Sequence, residues 1–409
     1  MRILKVTQAY YPFNARGGPA IKVRSIARAL RERENEVVVL TADLGFGPNE
    51  IASAHVVADS EGWRTHLDGV EVNYFRTWCH YRNLTVNPGI FRFCRHRLRE
   101  FDIVHIYGLY DTLGPAVGFC CRKFKVPYYI EPLGMTRSID RGFLLKRLWK
   151  RLARKYLAQA SRWIATSDLE RQDLSAEGVP SAKVLLRYNG IDLNDFKILP
   201  PLGAFRKRQG IADHDPMILF LGRLIPRKGA DLLIEALPQI GNVAVKLVIA
   251  GPEGESGYVN LLREKAKTLG VSDRVLFPGP LYEEMQKEAY VDATVFALPS
   301  RYENFGNTAA ESVACGTPAV VSDRCGIAPL IDQRAGLVTA YDSLALAATL
   351  KDLLNNSTLY QRLKAACPQV AQEISWDGLV QGMQESYENT IEELSLCITP
   401  GAKSISSLN

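Results

Sequence analysis

The chain is expected to fold as two doubly wound α/β domains, and three observations lead there. It has 409 residues, more than one ordinary core uses. Short apolar runs alternate with helix-length segments from end to end. The runs are continuously apolar rather than alternating, as parallel strands covered on both faces are. In the first half they are "RILKVTQ", "EVVVLTA", "VEVNYF", "DIVHIYG", "VPYYIEPL", "RWIATSD" and "KVLLRYN". In the second they are "MILFLGR", "KLVIAGP", "RVLFPGP", "TVFALPS", "PAVVSD" and "GLVTAY". The Pro- and Gly-containing stretch "ILPPLGAFRKRQG" (198–210) reads as the hinge. Domain boundaries follow at 1–197 and 198–374, with a helix at 375–394 and a small polar tail, expected to fray, at 395–409.

Composition narrows the class. Apolar residues make up 47% of the chain and charge is mixed, as in a globular protein. The start "MRILKVTQAYYPF" runs straight into a strand pattern, which reads as no secretory leader, and no apolar run approaches a bilayer span. The eight cysteines show no C-x-x-C spacing, which favours reduced thiols in a cytoplasmic protein. Residues 1–199 carry 31 Lys and Arg against 20 Asp and Glu, and the remainder 19 against 24, so a basic first half precedes a mildly acidic second.

In doubly wound sheets ligands lie beyond the carboxyl ends of the strands, so those ends are read first. After the first run comes "YYPFNARGGPA". Gly17-Gly18 is either a tight turn or a place where backbone closes on a phosphate, with a helix starting near Pro19. It is not a G-x-G-x-x-G fingerprint, and no acid stands at the spacing of an NAD ribose ligand. "LFLGRLIPRKGADLLIEAL" puts Arg223 directly after a strand, Lys228 in the following loop and Asp231 where it would cap the next helix. Two cations there suit a diphosphate; the alternative is a solvated basic loop. "RYENFGNTAAESVACGTPAV" (301–320) follows a buried strand. Glu303 precedes the turn, a helix begins near Asn307, and Glu311 lies about one turn inside it. The backbone N–H groups of Phe305, Gly306 and Asn307 are suited to an anion, and carboxylates on either side suit sugar hydroxyls. The bland alternative is a hydrated Glu303 and a Glu311 favoured by the helix dipole.

These segments, in this order, resemble the family 4 glycosyltransferases: "YYPFNARGGPAIKVRSIARAL", "DIVHIYGLYDTLG", "SDLERQDL", "RYNGIDLNDF", "FLGRLIPRKGADLLIEAL", and the E-x7-E motif "ENFGNTAAE" followed by "ACGTPAVVSD". The resemblance implies the GT-B fold, two Rossmann-like domains facing across a cleft. It implies a retaining, metal-independent hexosyltransferase, with a nucleoside-diphosphate sugar, UDP- or GDP-linked, as donor. Arg223 and Lys228 would bind the diphosphate, and Gly17 and Gly18 would approach it from the other domain. Glu303 would orient the transferred sugar, Phe305, Gly306 and Asn307 would supply backbone donors, and Glu311 would take the ribose. No cofactor or metal is implied. The "DHD" at 213–215 precedes its strand and so lies at the wrong end for a cation site.

One position departs from the family pattern. Where many members have a histidine before the glycine of P-H-G-M, this chain has "IEPLGM", with Leu133 in that place. Glu131, His105 and Tyr107, at or near strand ends, are the candidate substitutes. Two rival functions stay open: another GT-B enzyme such as a nucleotide-sugar epimerase, and a non-catalytic sugar-nucleotide binder.

The acceptor is expected to be a glycan or a lipid-linked glycan of cell-surface polysaccharide or glycolipid synthesis. "RGFLLKRLWKRLARKYLAQA" (141–160) has apolar residues at helical spacing and basic residues on its other faces, and "RFCRHRLRE" (92–100) adds a second basic segment. Such helices are either core-packed with a solvated face or attracted to an anionic membrane, which would place the protein peripherally on the inner face. Nucleic acid is not an expected partner, because no binding module accompanies the charge.

Overall fold

The structure, a computed structural model, describes residues 1–13, 18–81, 84–136, 151, 153, 155–241 and 244–398. Gly17 and most of the basic segment at 141–160 lie outside them. The chain forms two compact units: Met1–Ala165 with Arg171–Arg187 and the residues from Leu379 on, and Thr166–Glu170 with Tyr188–Gly378.

In the first unit a nine-stranded sheet has the order β11-β10-β9-β8-β1-β2-β5-β4-β3. The strands are β1 (Arg2–Val6), β2 (Glu36–Ala42), β3 (Val57–Ala58), β4 (Gly62–Leu67), β5 (Val70–Phe75), β8 (Ile103–Tyr107), β9 (Tyr128–Glu131), β10 (Arg162–Ala165) and β11 (Val184–Leu186). A separate two-stranded hairpin joins β6 (Cys79–Tyr81) to β7 (Leu84–Val86). The seven expected runs form the parallel part. β4 is antiparallel to β5, with Leu67 opposite Val70 across Asp68-Gly69, and β3 pairs with β4 in the same sense. Both turn residues have positive φ, 52° and 75°, the conformation an Asp-Gly hairpin turn requires.

In the second unit β12 (Met217–Leu221), β13 (Lys246–Ala250), β14 (Val275–Gly279), β15 (Val295–Leu298), β16 (Ala319–Ser322) and β17 (Gly336–Thr339) form a parallel sheet of order β14-β13-β12-β15-β16-β17. The order reverses between β12 and β15, so ligands are expected at the carboxyl ends of that pair. β12, β15 and β16 are buried along their whole length, as their unbroken apolar sequence requires.

Two boundaries differ from expectation. The units divide between Arg187 and Tyr188, before the hinge at 198–210. The reason lies in Ile191: its N–H donates to the Ile374 carbonyl at 3.0 Å, its carbonyl accepts from the Trp376 N–H at 3.0 Å, and its side chain joins the second core. The final helix spans Trp376–Ile398, so 395–398 are helical rather than a frayed tail. Among the described residues, no helix is long and apolar enough to cross a membrane.

Candidate active site

β12 delivers Leu221 to the sheet edge, and the loop beyond it carries Arg223 and Lys228. Arg223 is exposed, and its stem lies against Gly254 so closely that a Cβ there would sit 2.4 Å from Arg223 Cγ. Lys228 ends a short 3-10 turn, Pro226–Lys228. Gly229 follows with φ 76° and caps the helix Ala230–Ile240. A Cβ on Gly229 would lie 2.0 Å from the Pro299 carbonyl oxygen, which brings this loop against the end of β15. The expected cap, Asp231, instead lies inside the first turn and accepts from Tyr258 Oη at 3.1 Å.

The loop after β15 carries Glu303, whose side chain is 19% exposed and pairs directly with that of Lys228, 17% exposed. Its backbone is fixed on both sides: Glu303 N–H donates to the Arg324 carbonyl, and the Glu303 carbonyl accepts from Gly326 N–H, each at 3.0 Å. Ile327 N–H donates to the Phe305 carbonyl at 2.8 Å, and Arg301 N–H to the Arg227 carbonyl at 2.8 Å. The loops after β12, β15 and β16 are thus tied together. Gly326 is glycine for steric reasons, since a Cβ would meet the Asn304 carbonyl oxygen at 2.1 Å. A hollow of about 270 Å³ borders this loop, lined by Cys325, Gly326, Asp323 and Asp168 among others.

Gly306, at φ 113°, caps the helix Asn307–Ala314. The first-turn N–H groups of such a helix have no carbonyl one turn back to bond, so this end is electropositive. Phe305 is buried in the second core, which anchors the turn, while Asn307 is exposed. Glu311, four residues on, is half-buried and accepts from Gln286 Nε2 and Tyr290 Oη, both at 2.8 Å. Burial pushes its carboxyl up to about 7, against the opposing pull of those two bonds. Gln286 and Tyr290 come from the helix Glu283–Asp292; nothing in "EEMQKEAYVD" marks them as partners of a carboxylate.

In the first unit Gly18 begins the helix Gly18–Glu32. Glu131, His105 and Tyr107 do come together, but all three are buried. Glu131 pairs with Lys22 and with Arg187 (2.6 Å), and lies 3.3 Å from His105 Nε2. The attraction of Arg187 and Lys22 outweighs desolvation and holds its carboxyl well below the usual range. His105 stacks on Tyr107, centroids 4.1 Å apart, and its Nδ1 is 2.5 Å from Tyr387 Oη. Burial and the nearby Lys5 depress its pKa to about 3, so it is neutral. Lys5, fully buried in the middle of β1, where desolvation and the nearby Arg187 hold its pKa well below the usual lysine range, donates to Tyr107 Oη (2.9 Å) and Tyr387 Oη (3.2 Å). These three candidates are internal groups with protein partners rather than groups presented to solvent. Leu133 is the second residue of a turn closed by Met135 N–H to the Pro132 carbonyl (3.1 Å), with φ 60° at Leu133 and 77° at Gly134. A leucine rarely holds that conformation.

Residues 17–190 match the glycosyl transferase 4-like domain, and residues 203–370 match glycosyl transferases group 1. A glycosyltransferase of Methanocaldococcus jannaschii, itself described as uncharacterised, is 30% identical over 335 residues, 79% of this chain and 80% of that one. The chain belongs to the group 1, family 4-like glycosyltransferases. A D-inositol 3-phosphate glycosyltransferase of Xylanimonas cellulosilytica is 28% identical over 91% of each chain. Among solved structures, Anabaena HepE in complex with UDP and glucose superposes with a TM-score of 0.73 at 21% identity, over 95% of this glycosyltransferase and all of HepE. That likeness gives the fold, GT-B, and the family gives the enzyme class, a glycosyltransferase.

Proposed function

We propose that the chain is a retaining, metal-independent hexosyltransferase. It moves a sugar from a UDP- or GDP-sugar to a hydroxyl of a glycan or lipid-linked acceptor, in the synthesis of cell-surface polysaccharide or glycolipid. The observation that supports this most is the junction at the switch point of the second sheet. There Lys228 meets Glu303, and the electropositive start of Asn307–Ala314 follows in the same loop. The leaving diphosphate gains charge as the glycosidic bond breaks. Arg223, Lys228 and the N–H groups of Phe305, Gly306 and Asn307 are the groups to take that charge in place of a metal. Glu303 accepts from hydroxyls of the sugar, and Glu311 from the ribose. Lys228 bridges the two tasks, since its ammonium faces Glu303 and has donors to spare for a phosphate oxygen. Gly17 and Gly18 complete the phosphate contacts in this reading. Glu131, His105 and Tyr107 act as supports that fix the carboxyl ends of β8 and β9. HepE, which shares the fold, is described with UDP-glucose, which favours a uridine donor here. The basic first unit brings the protein to the inner face of the membrane, where a lipid-borne acceptor resides.

A thermal-shift screen against UDP, GDP, ADP and dTDP and their sugars tests the donor. One nucleotide and its sugar should raise the midpoint, and no shift with any of them would overturn the reading. Glu303→Ala should abolish transfer while leaving nucleotide binding within a few-fold; retained transfer would remove the sugar-orienting role. Product analysis with donor alone separates transfer from epimerisation.

A further inference from the structure

The hairpin β6–β7 is built inside out for a surface element. Its inward side is polar: buried Thr85 accepts from Gln8 Nε2 at 2.8 Å and donates to Asn87 Oδ1 at 2.5 Å. Asn87 Nδ2 in turn donates to the Phe75 carbonyl at 2.8 Å and to Thr77 Oγ1 at 3.0 Å. These bonds hold the hairpin in a fixed pose against the first unit. Its outward side is apolar: Leu84 and Val86 alternate with Thr85 and are exposed, and Trp78, whose N–H donates to the Val86 carbonyl at 2.9 Å, is 74% exposed. Three residues beyond Val86 the helix Gly89–Arg97 begins, with Ile90, Phe93 and Cys94 buried. The other side of that helix exposes Phe91 (53%) beside Arg92 and Arg95. Scattered apolar residues on a surface need no explanation, but a rigid hairpin and the next helix turn presenting them together do.

The charge around this patch selects its partner. Residues 72–99 contain six arginines and no aspartate or glutamate. Some of that charge is used internally: Arg97 pairs with Glu71 at 2.6 Å, and Arg92 lies 3.3 Å from Glu61. Arg76, Arg95 and Arg99 are exposed, which leaves positive charge on the same segments that carry the exposed apolar side chains. An exposed Trp, exposed aliphatic residues and nearby arginines are the composition of an element that seats at the headgroup level of an anionic bilayer. The geometry points to this hairpin and the start of Gly89–Arg97 as the membrane-docking surface, with Trp78, Leu84 and Val86 entering the interface and Arg95 on the phosphates. The inference gives a place to the membrane contact of the proposed function and rests on that reading only for its purpose.

The test is co-sedimentation of the full chain, without nucleotide, on vesicles of phosphatidylcholine alone and mixed with phosphatidylglycerol. The wild type should bind the anionic vesicles and release as salt rises. Trp78→Ser/Leu84→Ser/Val86→Ser should bind about tenfold more weakly. Arg95→Glu should weaken binding to anionic vesicles and leave that to neutral ones unchanged. Each variant's thermal unfolding midpoint without nucleotide, close to that of the wild type, shows that its fold persists. Failure of the wild type to bind any vesicle, or equal binding by the triple variant, would overturn the assignment. So would a wild-type dimer that the triple variant breaks, because the patch would then cover a second copy. None of these outcomes touches the donor chemistry, which the nucleotide screen reads separately.

Discussion

Burial pushes the Glu311 carboxyl up to about 7, while Tyr290 and Gln286 donate to it and pull the other way. Its folded pKa is raised, so the stability it contributes is full below its unfolded value near 4.5 and lost as pH rises through about 7. In the proposed ribose-binding role of Glu311, ligand binding works against that preference, because two hydroxyls donate best to an ionised carboxylate. Affinity for the nucleoside diphosphate should therefore fall about tenfold from pH 8 to pH 6 as the ionised fraction drops. Glu311→Gln should bind weakly with no such slope. Calorimetry at the two pH values reads this, and an unchanged slope in the variant would detach Glu311 from the ribose. Glu131 has the opposite sign. Its folded pKa is depressed, so its stabilisation is present above about 4.5 and lost as pH falls below that. Glu131→Gln keeps the shape but removes the negative charge facing Lys22 and Arg187 in a buried place. It should cost about 3–5 kcal/mol at neutral pH. Urea unfolding measures the loss, and the gap to wild type should narrow in acid.

At the scale of elements, the donor-side loops hold their shape through glycines that no other residue replaces without strain. Gly229 is the clearest, with φ 76° and a Cβ position 2.0 Å from the Pro299 carbonyl oxygen. Gly229→Ala should cost about 1–3 kcal/mol and loosen Lys228 from Glu303. Its KM for donor should rise, whereas Gly257→Ala, also at positive φ but with open space around it, should cost stability and leave KM alone. The same elements show what a sequence reveals. β12, β15 and β16 are legible because burial on both faces leaves an unbroken apolar run. The E-x7-E stretch is legible because its turn glycine and helix start are local. β4, "GWRTHL", shows no apolar run because it lies near the sheet edge with a mixed face, although Asp68-Gly69 beside it is a hairpin signal. The Lys228–Glu303 pair and the Gln286 and Tyr290 partners of Glu311 were not legible. They join residues 21 to 75 positions apart through sheet order, which no local pattern encodes.

At the scale of the molecule, the last helix belongs by sequence to the end of the second unit and by packing, from Leu379 on, to the first. Val380, Met383 and Tyr387 are buried. Tyr129 Oη donates to the Ser386 carbonyl at 2.8 Å and lies 2.7 Å from Thr390 Oγ1. Arg162 pairs with Glu393 at 3.1 Å. Tyr387 also bonds with Lys5 and His105, so the helix supplies the hydroxyl that lets a lysine and a neutral histidine sit inside β1 and β8. Without it Lys5 would lose one of its two hydroxyl acceptors, and its buried amino group would have to find water, opening the sheet where it is now closed. Ending the chain after Gly378 should therefore loosen the first unit selectively. Trp376, whose N–H donates to the Ile191 carbonyl, remains in place to close the second. Hydrogen exchange should show amides of β1, β8 and β9 losing protection by about a hundredfold or more, with β12 and β15 within a few-fold of the full chain. Equal loss in β12 and β15 would mean that the two units unfold as one, and that the final helix serves the whole molecule rather than the first sheet.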